Sequence, residues 1–209
     1  MSKATASGVL PLTALYDRAA PDTLLIGVEE VRNHGMIDLR GLANNRKFNA
    51  AAKEALGVAL PKKPRTSASA GDISVLWLSV DQWLIICPLK DVATLHAKLV
   101  KALEGIHSLA VDMSDARSIL RLTGEHVRHV LMKGSSVDFT QSEFGKGAVR
   151  RITFAEIAAL VHVVDAKANV FDLYMFRSQA HHAWDFLLAT SGKGSEIGLP
   201  PSLEAPSTV

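Results

Sequence analysis

Between Ile73 and Leu103 the chain contains one recognisable unit: an apolar run, a polar turn, a second apolar run and an amphipathic helix. Ser74-Val75-Leu76-Trp77-Leu78 and Trp83-Leu84-Ile85-Ile86-Cys87 flank Val80-Asp81-Gln82, which is the pattern of a β-hairpin. Asp91 stands where it can cap a helix whose apolar stripe is Val92, Leu95, Leu99 and Leu103, closed by Glu104-Gly105. The second half repeats this order. Strands over Leu109 to Met113 and Ser118 to Thr123 precede a helix carrying Val127, Val130 and Leu131, closed by Lys133-Gly134. Two β runs follow, Arg151 to Val164 with a break near Ala155 and Asn169 to Phe176. In the latter, Phe171, Leu173 and Met175 face one way while Asp172 and Tyr174 face the other. A last helix places Ala180, Ala183, Trp184, Leu187 and Leu188 on one face. Strand pairs followed by helices predict an α+β fold: antiparallel sheets with helices packed on one face.

Earlier in the chain, Thr23 to Glu29 and Met36 to Gly41 read as a hairpin around the turn Asn33-His34-Gly35. Phe48, Ala51, Ala52, Ala55 and Leu56 recur at helical spacing, with Gly57 where a helix stops in the left-handed conformation. Leu60 to Gly71 reads as an exposed loop. The expected organisation is a loosely ordered segment over 1–22, one α+β domain over 23–191, built as one lobe or two intertwined lobes, and a flexible tail rich in Ser, Gly and Pro over 192–209. No strict repeat of 20 to 50 residues is present. At 209 residues such a chain buries roughly 70% of its unfolded surface and needs no covalent staple.

Charge excludes some functions. The 23 basic and 21 acidic residues are scattered, for a net charge of +2, too weak a field for a nucleic-acid partner. The one basic cluster, Lys62, Lys63 and Arg65, sits between prolines in the expected loop. The single Cys87 excludes an internal disulfide and fits a reducing, cytoplasmic setting; its apolar neighbours predict a buried, inert thiol. Neither a secretory leader nor a membrane span is expected, since the longest apolar run, Ile157 to Val164, is far too short.

A search for chemistry yields little. Gly145-Lys146-Gly147 and Gly192-Lys193-Gly194 lack the order of a phosphate-binding loop. No Gly-x-Ser-x-Gly nucleophile elbow occurs. His126 and His129 fall on the polar side of a helix, and adjacent His181 and His182 point apart, so neither pair makes a metal site without further ligands. The densest polar cluster, Asp112-Met113-Ser114-Asp115-Ala116-Arg117, reads as a corner between strands, in which Arg117 can pair with Asp112 or Asp115. No catalytic, cofactor-binding or metal residue is assigned to this chain.

Taken in order, these pieces resemble the gamma subunit of heterotetrameric sarcosine oxidase over roughly residues 36 to 190. The landmarks are Leu39-Arg40-Gly41 before a helix with Phe48; Leu60-Pro61; Trp77-Leu78 then Asp81-Gln82-Trp83-Leu84; Asp112-Met113-Ser114-Asp115-Ala116-Arg117; and Leu122-Thr123-Gly124. Leu131-Met132-Lys133-Gly134, Val137-Asp138-Phe139, Phe144 with Gly147, Phe171-Asp172-Leu173-Tyr174, Arg177-Ser178 and the Trp184 helix follow. Val80 stands where that family's pattern has proline. The resemblance implies a fold like the folate-binding domain of the glycine-cleavage aminomethyltransferases and of the N-terminal domain of tRNA-modification GTPases. It further implies an accessory, non-catalytic subunit of an oxidoreductase acting on CH–NH donors with oxygen as acceptor. The implied partners are the alpha, beta and delta subunits, which carry FAD, FMN, NAD and tetrahydrofolate; no nucleic acid and no membrane are expected. The complex would convert sarcosine to glycine, hydrogen peroxide and formaldehyde or 5,10-methylenetetrahydrofolate. The alternative is a stand-alone folate-dependent one-carbon module, with Asp112, Asp115 and Asp138 as candidate carboxylates for a pterin ring.

Overall fold

The computed structural model describes residues 24–140 and 142–195. Among the described residues, ten strands form two five-stranded antiparallel sheets. The first has the order β3 (Ser67–Ala70), β4 (Ile73–Ser79), β5 (Gln82–Pro88), β2 (His34–Gly41), β6 (Ser108–Asp112). The second, taken in the corresponding direction, runs β8 (Val149–Phe154), β9 (Ile157–Asp165), β10 (Val170–Phe176), β7 (Arg117–Thr123), β1 (Gly27–Glu30). Helices α1 (Arg46–Leu56) and α2 (Val92–Ala102) cover the outer face of the first sheet, α3 (Val127–Gly134) and α4 (Ala180–Thr190) that of the second.

Three apolar layers result. One outer layer joins Ile37, Leu39, Val75, Trp83 and Ile85 to the α1 and α2 stripes. The other joins Leu120, Leu122, Val161, Phe171 and Leu173 to α3 and α4. Between the sheets lie Met36, Leu76, Leu84 and Ile86 of the first and Ile119, Val149, Leu160 and Tyr174 of the second. Each sheet is thus apolar on both faces. This is why Trp83 to Cys87 and Phe171 to Met175 read as near-continuous hydrophobic runs rather than strict alternations.

Local chemistry sets the helix ends. The Asn45 side chain accepts from the N–H groups of Lys47 and Phe48 at 2.9 and 3.2 Å, a cap that contributes about 1 kcal/mol. Gly57 takes φ 72 at the other end of α1. Gly41 is dictated by packing: a β-carbon there would fall 2.4 Å from the Phe48 ring, so α1 lies close on β2 only over a bare backbone. Asp91 holds the position before α2, but its side chain makes no capping hydrogen bond.

Each position of β5 and α2 has its counterpart 88 residues later: Gln82–Pro88 against Val170–Phe176, and Val92–Ala102 against Ala180–Thr190. A 3₁₀ turn, Leu89–Asp91 or Arg177–Gln179, joins strand to helix in both. The molecule is two copies of one topology. The sheets are stitched along one side, where Thr66 bridges Ala148, Ser67 N–H donates to Gly147 at 2.8 Å and Val149 N–H to Arg65 at 2.9 Å.

Three expectations are corrected. The stretches around Asn33-His34-Gly35 are not a hairpin: β1 pairs with β7 and β2 with β5 and β6, because each strand's apolar residues belong to a different sheet. β6 and β7 likewise separate, so the 113–116 corner is the crossing from one sheet to the other. The expected loop over Leu60 to Gly71 contains β3, a Ser-Ala-Ser-Ala strand with no apolar signature, held by pairing with β4 and by Ser69 Oγ to Ser74 Oγ at 2.9 Å. Val80 sits in a turn that still closes the expected β4–β5 hairpin, with a bulge between Trp77 and Ser79.

Candidate functional site

The inter-sheet layer is apolar in its middle and polar at one end. There a cavity of about 290 Å³ opens between His34, Asp72 and Ser74 of the first half and Arg121, His162 and Asp172 of the second, near the small end of the usual range for ligand pockets. Register builds its polar wall: Arg121, Asp172 and His162 are direct cross-strand neighbours on β7, β10 and β9, all on the inward face. Arg121 grips Asp172 with two parallel bonds, Nε to Oδ1 at 2.8 Å and a terminal nitrogen to Oδ2 at 2.9 Å. That geometry raises the Arg121 pKa.

His162, 8% exposed, lies 3.0 Å from Ser67 Oγ through Nε2. A serine, a histidine and a nearby aspartate suggest a nucleophile, but the third member is committed elsewhere. Ser67 Oγ also lies 3.0 Å from the Gly147 carbonyl, so the hydroxyl bridges that carbonyl and the His162 ring. Asp172 is engaged by Arg121 rather than orienting the histidine. The group ties β3 to β9 and to Gly147, just before β8. Burial lowers the pKa values of His34 and His162, and Asp172 only partly opposes this. Burial also holds Tyr174 well above the ordinary phenol.

The sequence-derived candidates fall elsewhere. Asp112 accepts from Ser114 N–H and Oγ, and Ser114 Oγ in turn accepts from Met36 N–H at 3.0 Å, which makes the expected corner. Arg117 pairs with neither Asp112 nor Asp115; Arg177 reaches Asp115 at 3.6 Å, while Arg117 lies over the Phe176 ring at 4.8 Å. Asp138 is exposed and binds Thr140. Asp112, Asp115 and Asp138 are thus far apart in role, and none lines the cavity. Cys87 is buried, its pKa raised to about 11 by burial and then by Asp91 and Asp112, which leaves a thiol rather than a thiolate. Among the described residues no group of three His, Cys, Asp or Glu is placed to hold a metal ion. His126 and His129 have ring centroids 6.2 Å apart, and His182 bonds to the Ala155 carbonyl at 2.7 Å. Lys63 and Arg65 face Lys146 and Arg150 across an open groove of about 540 Å³, where Arg150 is taken by Glu143 at 3.0 Å. The Arg121–Asp172–His162 row was missed; its one signal was that Asp172 and Tyr174 share the face opposite Phe171 and Leu173.

Four layers, with two sheets face to face and helices outside, define an α+β class shared with aminomethyltransferase T from Bartonella henselae: TM-score 0.59 at 13% identity, covering 87% of this chain and 50% of that one. A chain of the heterotetrameric sarcosine oxidase from Corynebacterium sp. U-96, in complex with pyrrole 2-carboxylate, superposes with TM-score 0.81 at 24% identity, covering 92% of this chain and 98% of that one. The model of the sarcosine oxidase gamma subunit family matches residues 40–193, and the chain belongs to that family. Sarcosine oxidase subunit gamma from Arthrobacter sp is 35% identical over 114 residues, and that from Corynebacterium sp. strain P-1 is 32% identical over 137. The matched segments are 54% and 65% of this chain and span 55% and 66% of those relatives.

Proposed function

We propose that this chain is the gamma subunit of a heterotetrameric sarcosine oxidase and serves it as a non-catalytic assembly subunit. The partners are the alpha, beta and delta subunits, on which FAD, FMN, NAD and tetrahydrofolate are held. The complex demethylates sarcosine oxidatively to glycine and hydrogen peroxide, with the one-carbon unit leaving as formaldehyde or 5,10-methylenetetrahydrofolate. The observation that carries the reading is family membership over residues 40–193.

The internal chemistry supports it. The polar side chains at the 290 Å³ cavity include two engaged pairs, Arg121 with Asp172 and His162 with Ser67. Their role is to hold sheets together. A subunit of this kind contributes surface rather than bond-making groups, and a permanent interface buries about 2,000 Å² or more.

Co-expression with tagged partner subunits tests this. This chain should co-purify in fixed stoichiometry, and omitting it should lower the yield of assembled, sarcosine-oxidising complex. A fully active complex assembled without it, or turnover of sarcosine by the isolated chain, would overturn the proposal. The stand-alone folate module predicts heat on calorimetric titration of the lone chain with tetrahydrofolate.

A further inference from the structure

At the end of the inter-sheet layer opposite the 290 Å³ cavity, the surface changes character. Seven large hydrophobic side chains are exposed among the described residues, and five of them gather here: Leu42, Val80, Leu109, Val111 and Phe176, between 36% and 73% exposed. Register places them together. Leu109 and Val111 lie directly opposite Arg40 and Asp38, Arg40 lies opposite Gln82, and Gly41 N–H bonds to Asp81, next to Val80. Gln82 then shares a notch of about 80 Å³ with Leu78, Leu160, Arg117, Arg151 and Phe176.

The uncovered side chains have a structural cause. Leu109 and Val111 point to the inward face of the first sheet, but β1, the outermost strand of the second, is four residues long and pairs only with Leu120 to Thr123. On the side away from β10, no strand among the described residues lies beside the Arg117 end of β7. Exposed apolar side chains gathered in one place mark interaction surfaces.

The notch also fixes the chemistry of the occupant. Arg117 Nε is buried and has no hydrogen-bond acceptor, and burial lowers the pKa of this guanidinium. Arg151 stands beside it, and neither arginine has an ion-pair partner among the described residues. The carboxylates of the facing sheet at this notch are otherwise engaged: Asp38 accepts from Gln82 at 2.8 Å and pairs with Arg40 at 3.6 Å, and Asp81 binds Ser79. Two neighbouring arginines, of which Arg117 lies over the Phe176 ring and has an orphaned donor, match a carboxylate.

Strand addition at β6 fits less well, because His96 Nε2 already occupies the outward Ala110 carbonyl at 3.0 Å. Leu24 bridges Gly192 next to the Thr123 end of β7, away from this face.

We infer that this end is the docking face for another sarcosine oxidase subunit, which inserts an Asp, Glu or terminal carboxylate between Arg117 and Arg151 and lays apolar side chains across Phe176, Val80 and Leu109. The inference rests on the proposed place of the chain in that complex. Its specificity comes from the arginine pair and its affinity from the apolar rim.

The test is capture of the full chain by a tagged partner subunit from co-expressing cells. Arg117→Glu, Val80→Asp and, on the outer surface of α2, Lys98→Glu are compared with the unaltered chain, each checked by melting temperature. Wild type and Lys98→Glu should be captured equally, and Val80→Asp and Arg117→Glu at least tenfold less. Val80 is a solvent-facing turn residue, so its variant keeps the test valid if Arg117→Glu fails to fold. Full capture of Val80→Asp and of a folded Arg117→Glu would overturn the docking face while leaving the subunit assignment intact. No capture of the unaltered chain would remove both. A dimer of the lone chain that Val80→Asp dissolves would replace the partner subunit with a second copy.

Discussion

The two halves share a topology but secure their long connections by different chemistry. In the first half, Trp83 of β5 packs against Phe48 of α1 with ring centroids 5.8 Å apart and donates its indole N–H to the Pro61 carbonyl at 2.9 Å, pinning the connection from α1 to β3. Its counterpart 88 residues on is Phe171, which has no donor. There Arg128 of α3 lies over the Phe171 ring at 5.0 Å and takes over the task, bonding to the carbonyls of Phe139 and Phe144 and to Asn169. A tryptophan does in one half what a phenylalanine and an arginine do together in the other. The inward faces diverge too: where the first half has Asp38, Leu84 and Leu76 in register, the second has Arg121, Asp172 and His162. A duplicated fold fixes which positions need a partner and leaves open which atoms supply it.

Truncation at the shared position should give the largest effect. Trp83→Ala and Phe171→Ala each remove a fully buried ring and should cost about 3–5 kcal/mol, read from urea unfolding. Unequal losses by more than a factor of two would break the equivalence. Next, Arg128→Met keeps the stem over Phe171 but leaves two carbonyls without their donor, at about 2–3 kcal/mol by the same measurement. Trp83→Phe, which makes the first half resemble the second without supplying the arginine, should cost about 1 kcal/mol.

The polar row gives a sharper contrast. Arg121→Met alone strands the Asp172 carboxylate and should destabilise by about 2 kcal/mol; joined to Asp172→Leu it should recover most of that, since the first half is stable with leucine there. A double variant no better than the single would mean the pair is needed for more than its own neutralisation. The smallest effect is on pH. His34 and His162 have lowered pKa values in the fold, so the unfolded chain binds more protons. Their contribution is complete above the ordinary histidine pKa of about 6.5 and is lost as pH falls from there through the folded values. The urea midpoint should drop between pH 7.5 and 5.5, and His162→Leu, the residue type of its counterpart Leu76, should flatten that drop.

What the sequence made legible follows from where the signal lies. The outer layers were readable because Val92, Leu95, Leu99 and Ala180, Ala183, Leu187 advertise a buried helix face at fixed spacing, and because Gly57 ends α1 in the one conformation it favours. The β4–β5 hairpin was readable because a short turn leaves few choices, whereas β8 and β9 showed only as one run with a break near Ala155, where Ala155 and Glu156 turn at positive φ. Partners that meet only in the folded chain were not: β1 with β7, β2 with β6, Ser67 with His162. β3 carries no apolar residue larger than alanine, so nothing in its composition distinguishes it from a loop. The duplication showed only as a repeated order of elements, because its period, 88 residues in the best-matched stretch, exceeds that of stacked-repeat proteins and its copies share pattern rather than residues. Of the cavity wall, only the inward face of Asp172 and Tyr174 was visible; Arg121 and His162 join them by register.

The short β1 has one further consequence. It fills in the second sheet the place β6 fills in the first, yet it precedes the first half in the chain, and its neighbour in space at that corner is the segment following α4, through Leu25 N–H to Ser191 at 2.7 Å. The polypeptide is therefore wired as a ring opened at one of two equivalent corners. A circular permutant that joins the residue 195 side to the residue 24 side and opens the chain within 113–116 would place each edge strand after its own helix and convert an interleaved pair of halves into a tandem one.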